Sequence, residues 1–415
     1  MKAIILAAGQ GKRMRSNIQK LLHPILGKTI IQYVIETVQA TGIEDVTVVI
    51  GSDGAEIVAT LGSIYPQLHF AIQESALGTA HAVQAGTKQI NDNDDVLILY
   101  GSMPLVTEEL IKKLNVLYEE NHIDGVVTAS SPHIFKGRVL KQGLAKMRKF
   151  NDQSEYDLAD LPQTLREDGY NIQAYKSLDD MTVFTGINTQ VQLAEAVQHM
   201  RNRINTKHML NGVRMIDPST VYIDDTVEIK PGVIIYPNVI LEGVCKIDGN
   251  VIIGPNSHLK NTTVGTAAHI NQSVLHDSKI GAGTTVGPFA YLRQNANVGC
   301  KCRIGNFVEI KNSNIGDGTK AAHLTYIGDA DVGKKVNFGC GAITVNYDGK
   351  NKHHTIIEDH AFIGSNSNLV APVKVGEGAY TAAGSTITND LQSCSLGIAR
   401  ARQVEKLNWT KTKKT

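Results

Sequence analysis

The chain has 415 residues, with Lys+Arg 41 against Asp+Glu 40 and a formal net charge of +1. That length exceeds what one core usually supports, so two domains are expected, and balanced charge argues against a surface that wraps nucleic acid. Five cysteines, Cys245, Cys300, Cys302, Cys340 and Cys394, show no paired zinc spacing and fit a reducing cytoplasm.

The N-terminal apolar run Ala3–Ala8 is too short for a membrane span and lacks a cleavage region, so it reads as a buried first strand. Strand-like runs at Lys2–Ala7, Val46–Ile50 and Asp95–Tyr100 alternate with amphipathic segments such as Ile30–Thr41 and Glu108–Glu119. This alternation predicts a parallel sheet covered by helices, with ligands at the carboxyl ends of the strands. The loop after the first strand reads Leu6-Ala7-Ala8-Gly9-Gln10-Gly11-Lys12-Arg13-Met14. Gly9 and Gly11 bare the backbone amides for a base or phosphates, and Arg13 and Lys20 supply positive charge; alone, such a loop is equally an ordinary strand-to-helix turn.

From about residue 218 the pattern changes. Aliphatic residues recur at every sixth position: Ile223, Ile229, Ile235, Leu241, Ile247, Ile253, Leu259. The ladder returns as Ile280 to Ile310 and as Ile357 to Ile387, with Thr381 among its members. Hexads of this kind predict a parallel β-helix whose triangular coils bury their aliphatics against one another. Cys300 and Cys302 would then share one coil, as packing residues. Ala322–Asp329 and Gly341–Gly349 interrupt the register, and breaks in a regular repeat are where functional loops concentrate. The predicted organisation is a nucleotidyltransferase-like α/β domain over residues 1–200, a linker over 201–219, and a β-helix with a tail over 220–415.

The string Leu-Ala-Ala-Gly-x-Gly-x-Arg-Met with Lys20-Leu21-Leu22 resembles the sugar-phosphate nucleotidyltransferases, and Gln73–His81, Leu99-Tyr100-Gly101 and Gly186-Ile187-Asn188 extend the match. With the solenoid attached, the chain resembles the bacterial family of bifunctional N-acetylglucosamine-1-phosphate uridyltransferase/glucosamine-1-phosphate acetyltransferases, which makes UDP-N-acetylglucosamine for the cell wall. The resemblance implies a Rossmann-like domain, a left-handed hexapeptide-repeat β-helix and a cytoplasmic homotrimer acting on glucosamine 1-phosphate, acetyl-CoA and UTP. Leu6, Ala7, Ala8, Gly9, Gln73, Gly78, Thr79 and Gly137 would hold the nucleotide or its sugar, Arg13 and Lys20 the phosphates, and Asn188 the Mg²⁺ ion. His323 would be the general base that removes the ammonium proton of the sugar amine, chemistry suited to an imidazole. Arg293, Lys311 and Lys352 would clamp the sugar phosphate and Tyr326 and Asn337 orient the ring. Cys340, Asn346, Tyr347, Ser365, Ala383 and Arg400 would meet acetyl-CoA, and Glu309 would be a carboxylate near the base. The Lys-rich tail Gln403–Thr415, with Trp409, resembles the family's extension that caps the coenzyme site.

Two departures stand in the first half. Ser102 occupies the place of the family's metal-binding aspartate, and a hydroxyl is a poor replacement for a hard anionic ligand. After Gly137-Arg138-Val139 a family segment carrying sugar ligands has no counterpart, and the pattern resumes at Gln153–Asp160. Asp94 and Asp95 precede their strand and are expected at its far end. Uridyl transfer is therefore expected to be impaired. The alternatives are a monofunctional acetyltransferase with a relic nucleotide domain, or a nonenzymatic nucleotide-binding scaffold.

Overall fold

Continuous apolar runs make the central strands of the first sheet, because a parallel strand buried on both faces has no polar side to show. In a computed structural model, which describes residues 1–120, 122–147, 156–176 and 181–410, these are β1 (Lys2–Ala7), β2 (Val46–Gly51) and β4 (Asp95–Tyr100), while β3 (His69–Gln73) is a half-exposed edge strand beside β2. Three short strands follow, β5 (Gly125–Val127), β6 (His133–Lys136) and β7 (Ile172–Ala174), and the order is β3-β2-β1-β4-β6-β5-β7. The first four run parallel, whereas β6 is antiparallel to both β4 and β5. Helices α1 (Ile30–Ala40), α2 (Ala55–Ile64), α3 (Thr79–Gly86), α4 (Glu108–Glu120), α5 (Gly137–Lys146) and α6 (Leu161–Glu167) accompany the sheet. A capping box starts α1: Thr29 caps the helix, and the Thr29 backbone donates to Gln32 Oε1 at 2.7 Å. Ile4, Val49, Val83, Ile98, Phe135 and Leu140 share one core.

The antiparallel β6 fixes the far side of this unit. Asp95 pairs with Lys136, so the chain leaves β6 beside the start of β4, away from its carboxyl end. Asp94 is there too, 3.5 Å from Lys2 Nζ.

The chain divides into two units, Met1–Met200 and Arg201–Thr415, and the division falls within α7 (Gln190–Leu210). Residues 201–219, expected as a linker, are instead structured: the end of α7, a strand at Arg214–Met215 and a turn at Pro218–Thr220. A bare solenoid end would expose its first coil, and this helix end covers it. Asn205 Nδ2 donates to the carbonyls of Pro218 and Val221 at 2.9 and 3.0 Å, and the Arg201 guanidinium lies over the Tyr222 ring.

The second unit is a left-handed parallel β-helix of hexapeptide repeats, its three faces forming parallel sheets of 11, 10 and 9 strands. Every ladder residue from Ile223 to Leu259 is buried, as are those of the two later runs. At roughly 1.5–3 kcal/mol for each fully buried large apolar side chain, this stack is the main cohesion of the coils. Thr381 holds its place because its hydroxyl is paired, accepting from the Gly364 amide at 2.8 Å. Asn238, Asn250, Asn256 and Asn366 take left-handed corner conformations, which asparagine tolerates better than most residues. Cys300 and Cys302 do share a coil and are free; among the described residues no group of three or more His, Cys, Asp or Glu is placed to hold a metal ion.

His133 on β6 gives the first unit a pH dependence. Burial pushes its imidazole pKa from 6.5 down to about 4. The unfolded chain takes up the proton near pH 6.5 and the folded one only near pH 4, so stability is lost as pH falls through that window. His133→Gln should flatten the effect. The check is the urea midpoint of the helical circular-dichroism signal at pH 7 and pH 4.5: the parent midpoint should fall more than that of the variant.

Candidate functional sites

Within the first unit, the loop after β1 and the ends of β3 and β4 enclose a cleft of about 560 Å³. Leu6, Ala8, Gly9, Lys20, Gln73, Gly78, Thr79, Ser102 and Asn188 line it together. Three predicted residues do not. Ala7 is buried in β1, and Arg13 is exposed, its charge reaching the site through Lys20. Gly137 is a correction: its amide donates to the Asp94 carbonyl at 2.7 Å, at the opposite end of β4, because β6 runs antiparallel.

Gly11 has φ 64°, and a Cβ there would meet the Lys20 Cβ at 2.6 Å, so the loop can fold over the lysine only with glycine. Burial and then the Arg13 charge lower the Lys20 pKa to about 8. Its Nζ donates to Asn188 Oδ1 at 3.3 Å and lies 3.7 Å from where a Gly9 side chain would begin. Gln73 Nε2 donates to the Gly78 carbonyl at 3.1 Å and fastens the loop before α3. Gly78, with φ 106°, is pressed by Tyr156.

Asp157 is the residue the sequence reading passed over. It lies at the start of the described part of Gln153–Asp160, since residues 153–155 fall outside the described residues, and it lines the cleft. Its Oδ1 accepts from Thr79 Oγ1 at 3.0 Å and from the Ala159 amide at 3.1 Å. Burial and the Asp157 charge push the Tyr100 pKa up to about 12. The family's divalent cation does not fit this donor set. Ser102 offers a neutral hydroxyl, Asn188 Oδ1 already faces an ammonium, and one Asp157 oxygen is committed to a turn.

The solenoid carries a second constellation. In-register pairs Ile304–Ala321, Ala321–Phe338, Phe338–Ile363 and Ile363–Thr381 stack successive coils on one face. Two positions beyond each pair, at one edge of the prism, lie Asn306, His323, Cys340, Ser365 and Ala383. Backbone bonds join parts of this column: the Leu324 amide donates to Asn306 O at 3.0 Å, Asn366 to Cys340 O at 2.8 Å, and Gly384 to Ser365 O at 2.8 Å. Arg400 Nη1 reaches the Ala383 carbonyl at 3.1 Å. Four predicted donor residues thus continue the line that starts at the predicted base.

His323 is exposed, with Nδ1 2.9 Å from Asn306 Oδ1. An amide oxygen only accepts, so the bond is made by an Nδ1–H, and a neutral ring so held has its lone pair on Nε2. Glu309, expected near the base, pairs in register with Tyr326 and accepts at its Oε1 from Arg293 Nε and Nη2 at 2.9 and 2.7 Å. Asn306 carried no recognisable signal, because its partner lies 17 residues away in the next coil.

Arg293, Lys311 and Tyr326 stand on the neighbouring face, and Arg293 and Lys311 pair in register. The next place in that column is Gly328, where a Cβ would meet Tyr326 Oη at 2.3 Å and Asn346 Nδ2 at 2.8 Å. After Val345 the chain makes a short hairpin closed by a Tyr347–Lys352 bridge. Asn346 hydrogen-bonds Asp329, which also accepts from Asn312 Nδ2 at 2.6 Å and lies 3.5 Å from Lys311 Nζ. Burial raises the Asp329 pKa, but the Asn312 and Asn346 bonds and the Lys311 and Lys352 charges outweigh it and hold the carboxyl below its usual range. Contact with Lys311 lowers the Lys352 pKa. Two ammoniums crowded around one carboxylate leave net positive charge for an anion. Asn337 sits one coil on from Lys320, on the face of His323, and Tyr347 is exposed on the hairpin. In the tail, Lys406 lies over the Trp409 ring; residues 411–415 fall outside the described residues.

Residues 3–160 match the model of the MobA-like NTP transferase domain, and residues 354–389 match that of the bacterial transferase hexapeptide. A nucleotidyl transferase from Methanothermobacter thermautotroptrophicus superposes with a TM-score of 0.41 at 18% identity, covering 49% of this chain and 98% of that one. The bifunctional protein GlmU of Geobacillus sp. (strain WCH70) is 42% identical over 98% of this chain and 97% of its own. The same-named protein of Clostridioides difficile (strain 630) is 40% identical over 99% and 98%. Aligned with such relatives along nearly its whole length, the chain belongs to the bifunctional GlmU family of transferases.

Proposed function

We propose that this protein transfers an acetyl group from acetyl-CoA to the 2-amine of glucosamine 1-phosphate in UDP-N-acetylglucosamine synthesis, and that its uridyltransferase half is impaired. The observation that carries the first part is the edge column, in which His323 is followed by Cys340, Ser365 and Ala383 with Arg400 beside them. The sugar ammonium gives one proton to solvent, and His323 Nε2 accepts a second from the same nitrogen as the resulting amine attacks the thioester carbonyl. The C–S bond breaks, coenzyme A leaves as thiolate, and the protonated imidazole is the acid that can neutralise it. Lys311, Lys352 and Arg293 take the sugar phosphate, with Tyr326, Asn337 and Asn346 about the ring and donor.

The base and the lysines belong to different faces of one prism, which favours completion of each site by neighbouring copies in a homotrimer. The exposed corners Phe289, Phe307 and Leu324 support that reading: the two phenyl rings stack 5.5 Å apart and supply apolar surface for a neighbour. Such an enzyme would work in the cytoplasm, and no helix among the described residues is long and apolar enough to cross a membrane.

Impairment of uridyl transfer rests on Ser102 and on a lost segment. The alignment with the Geobacillus relative runs over 450 positions against 415 residues in this chain. The gap was expected after Val139, yet α5 runs unbroken from Gly137 to Lys146. The short connection from β5 to β6, where Ser130 lines the cleft, is the better place for it.

His323→Ala should lower kcat for acetyl-CoA consumption by about 10²–10⁴-fold. Asn306→Ala should lower kcat by roughly tenfold, with KM little changed and an altered pH–rate profile, because it only frees the ring to turn and change tautomer; an unchanged profile would remove Asn306 from that role. Gly328→Ala should raise KM for glucosamine 1-phosphate more than it lowers kcat, by displacing Tyr326 and Asn346. With Mg²⁺, UTP and N-acetylglucosamine 1-phosphate, the parent should form little UDP-sugar, and Ser102→Asp alone should not restore it fully. Turnover comparable to a GlmU relative would refute the impairment.

A further inference from the structure

We propose that the cleft of the first unit takes an anionic nucleotide without a divalent cation, with the Lys20 ammonium as the countercharge. The inference rests on the reading of this cleft as a nucleotide site and deepens it. Lys20 is the only cation among the described residues that line the cleft, and Asp157 the only anion. The ammonium sits between two elements that would flank a phosphate chain: the Gly9 backbone, 3.7 Å from where its Cβ would be, and Asn188 Oδ1, at 3.3 Å. An amide oxygen that faces an ammonium has its lone pairs directed at a cation already. Ser102 Oγ lies 3.5 Å from where a Gly186 side chain would begin, a point also 3.8 Å from Asn188 Nδ2, and adds no charge.

The electrostatics favour the lysine over a metal. A hard dication needs anionic oxygens to offset the loss of its hydration shell, and the only carboxylate among the described residues lining the cleft, Asp157, has Oδ1 committed to Thr79 and Ala159. Placing a dication beside Lys20 would set two positive centres together with one carboxylate to screen them. A phosphate oxygen beside the same ammonium gains a charge-assisted hydrogen bond in a half-buried site, and the loop amides at Ala8 and Gly9 add donors. Relatives with a carboxylate at position 102 would hold the opposite balance. The serine therefore changes the countercharge of the cleft, and with it the condition under which a nucleotide is retained.

The test is calorimetric titration of the full-length protein with UTP, once with excess EDTA and once with excess MgCl₂, on the parent, Lys20→Met and Ser102→Asp. Methionine keeps the stem that packs on Gly11, so folding should survive. In the parent the two Kd values should agree within about threefold, and Lys20→Met should weaken binding by about tenfold or more in both buffers, the worth of one charge-assisted bond. In Ser102→Asp, binding should weaken in EDTA and recover by about tenfold with MgCl₂. Binding that weakens more than about tenfold in EDTA for the parent overturns the proposal, as does a Ser102→Asp variant indifferent to MgCl₂ or a parent that binds no UTP. Uridyl transfer on the same preparations separates the readings. Turnover alongside metal-free binding would refute only the impairment; magnesium-dependent binding without turnover would refute only this inference.

Discussion

The in-register stacking of solenoid coils is the constraint on which the rest depends. Each coil repeats the backbone hydrogen bonds of the one before it, so a side chain at a given corner finds its neighbours in other coils, far off in sequence. The buried ladder enforces this, because a shift of one residue would turn aliphatics outward and polar groups inward. The proposed base His323, the Asn306 amide and the line Cys340, Ser365 and Ala383 can therefore share one edge without a pocket folded specially for them. The apolar interior fixes the register, and the register places the chemistry.

That logic explains what could be read from the residues alone. The six-residue period identifies the inward positions, and the breaks at Ala322–Asp329 and Gly341–Gly349 mark the polar segments. The period does not show which outward residues meet, since the hairpin closed by Tyr347 and Lys352 lengthens the step between Cys340 and Ser365. Asn306 and Gly328 stayed hidden for the same reason: one acts on a histidine a coil away, and the other acts by having no side chain. Asp329 ends the polar segment Ala322–Asp329, but its tie to Lys311 appears only once the faces are assembled.

In the first unit the entrance loop was legible because glycine spacing has a direct steric meaning. Gly11 must pass over Lys20, and Gly78 must pass under Tyr156. Gly137 misled for a topological reason. A glycine after a strand lies near the ligand only if the strand is parallel to its neighbours, and β6 is not. Asp157 escaped notice because its closeness to Thr79 comes from a segment that folds back over the loop before α3.

The two halves thus stand in different chemical conditions. The solenoid holds the proposed base His323 beside Asn306 and a positive cluster, whereas the cleft of the first unit sets the Ser102 hydroxyl and the Lys20 ammonium on one lining. The most direct test is a structure of the protein with coenzyme A and glucosamine 1-phosphate. The coenzyme should lie along Cys340, Ser365 and Ala383 with its thiol turned toward His323 Nε2, and the sugar phosphate should sit between Lys311 and Lys352. Coenzyme bound on another edge, or an amine out of reach of His323, would contradict the account.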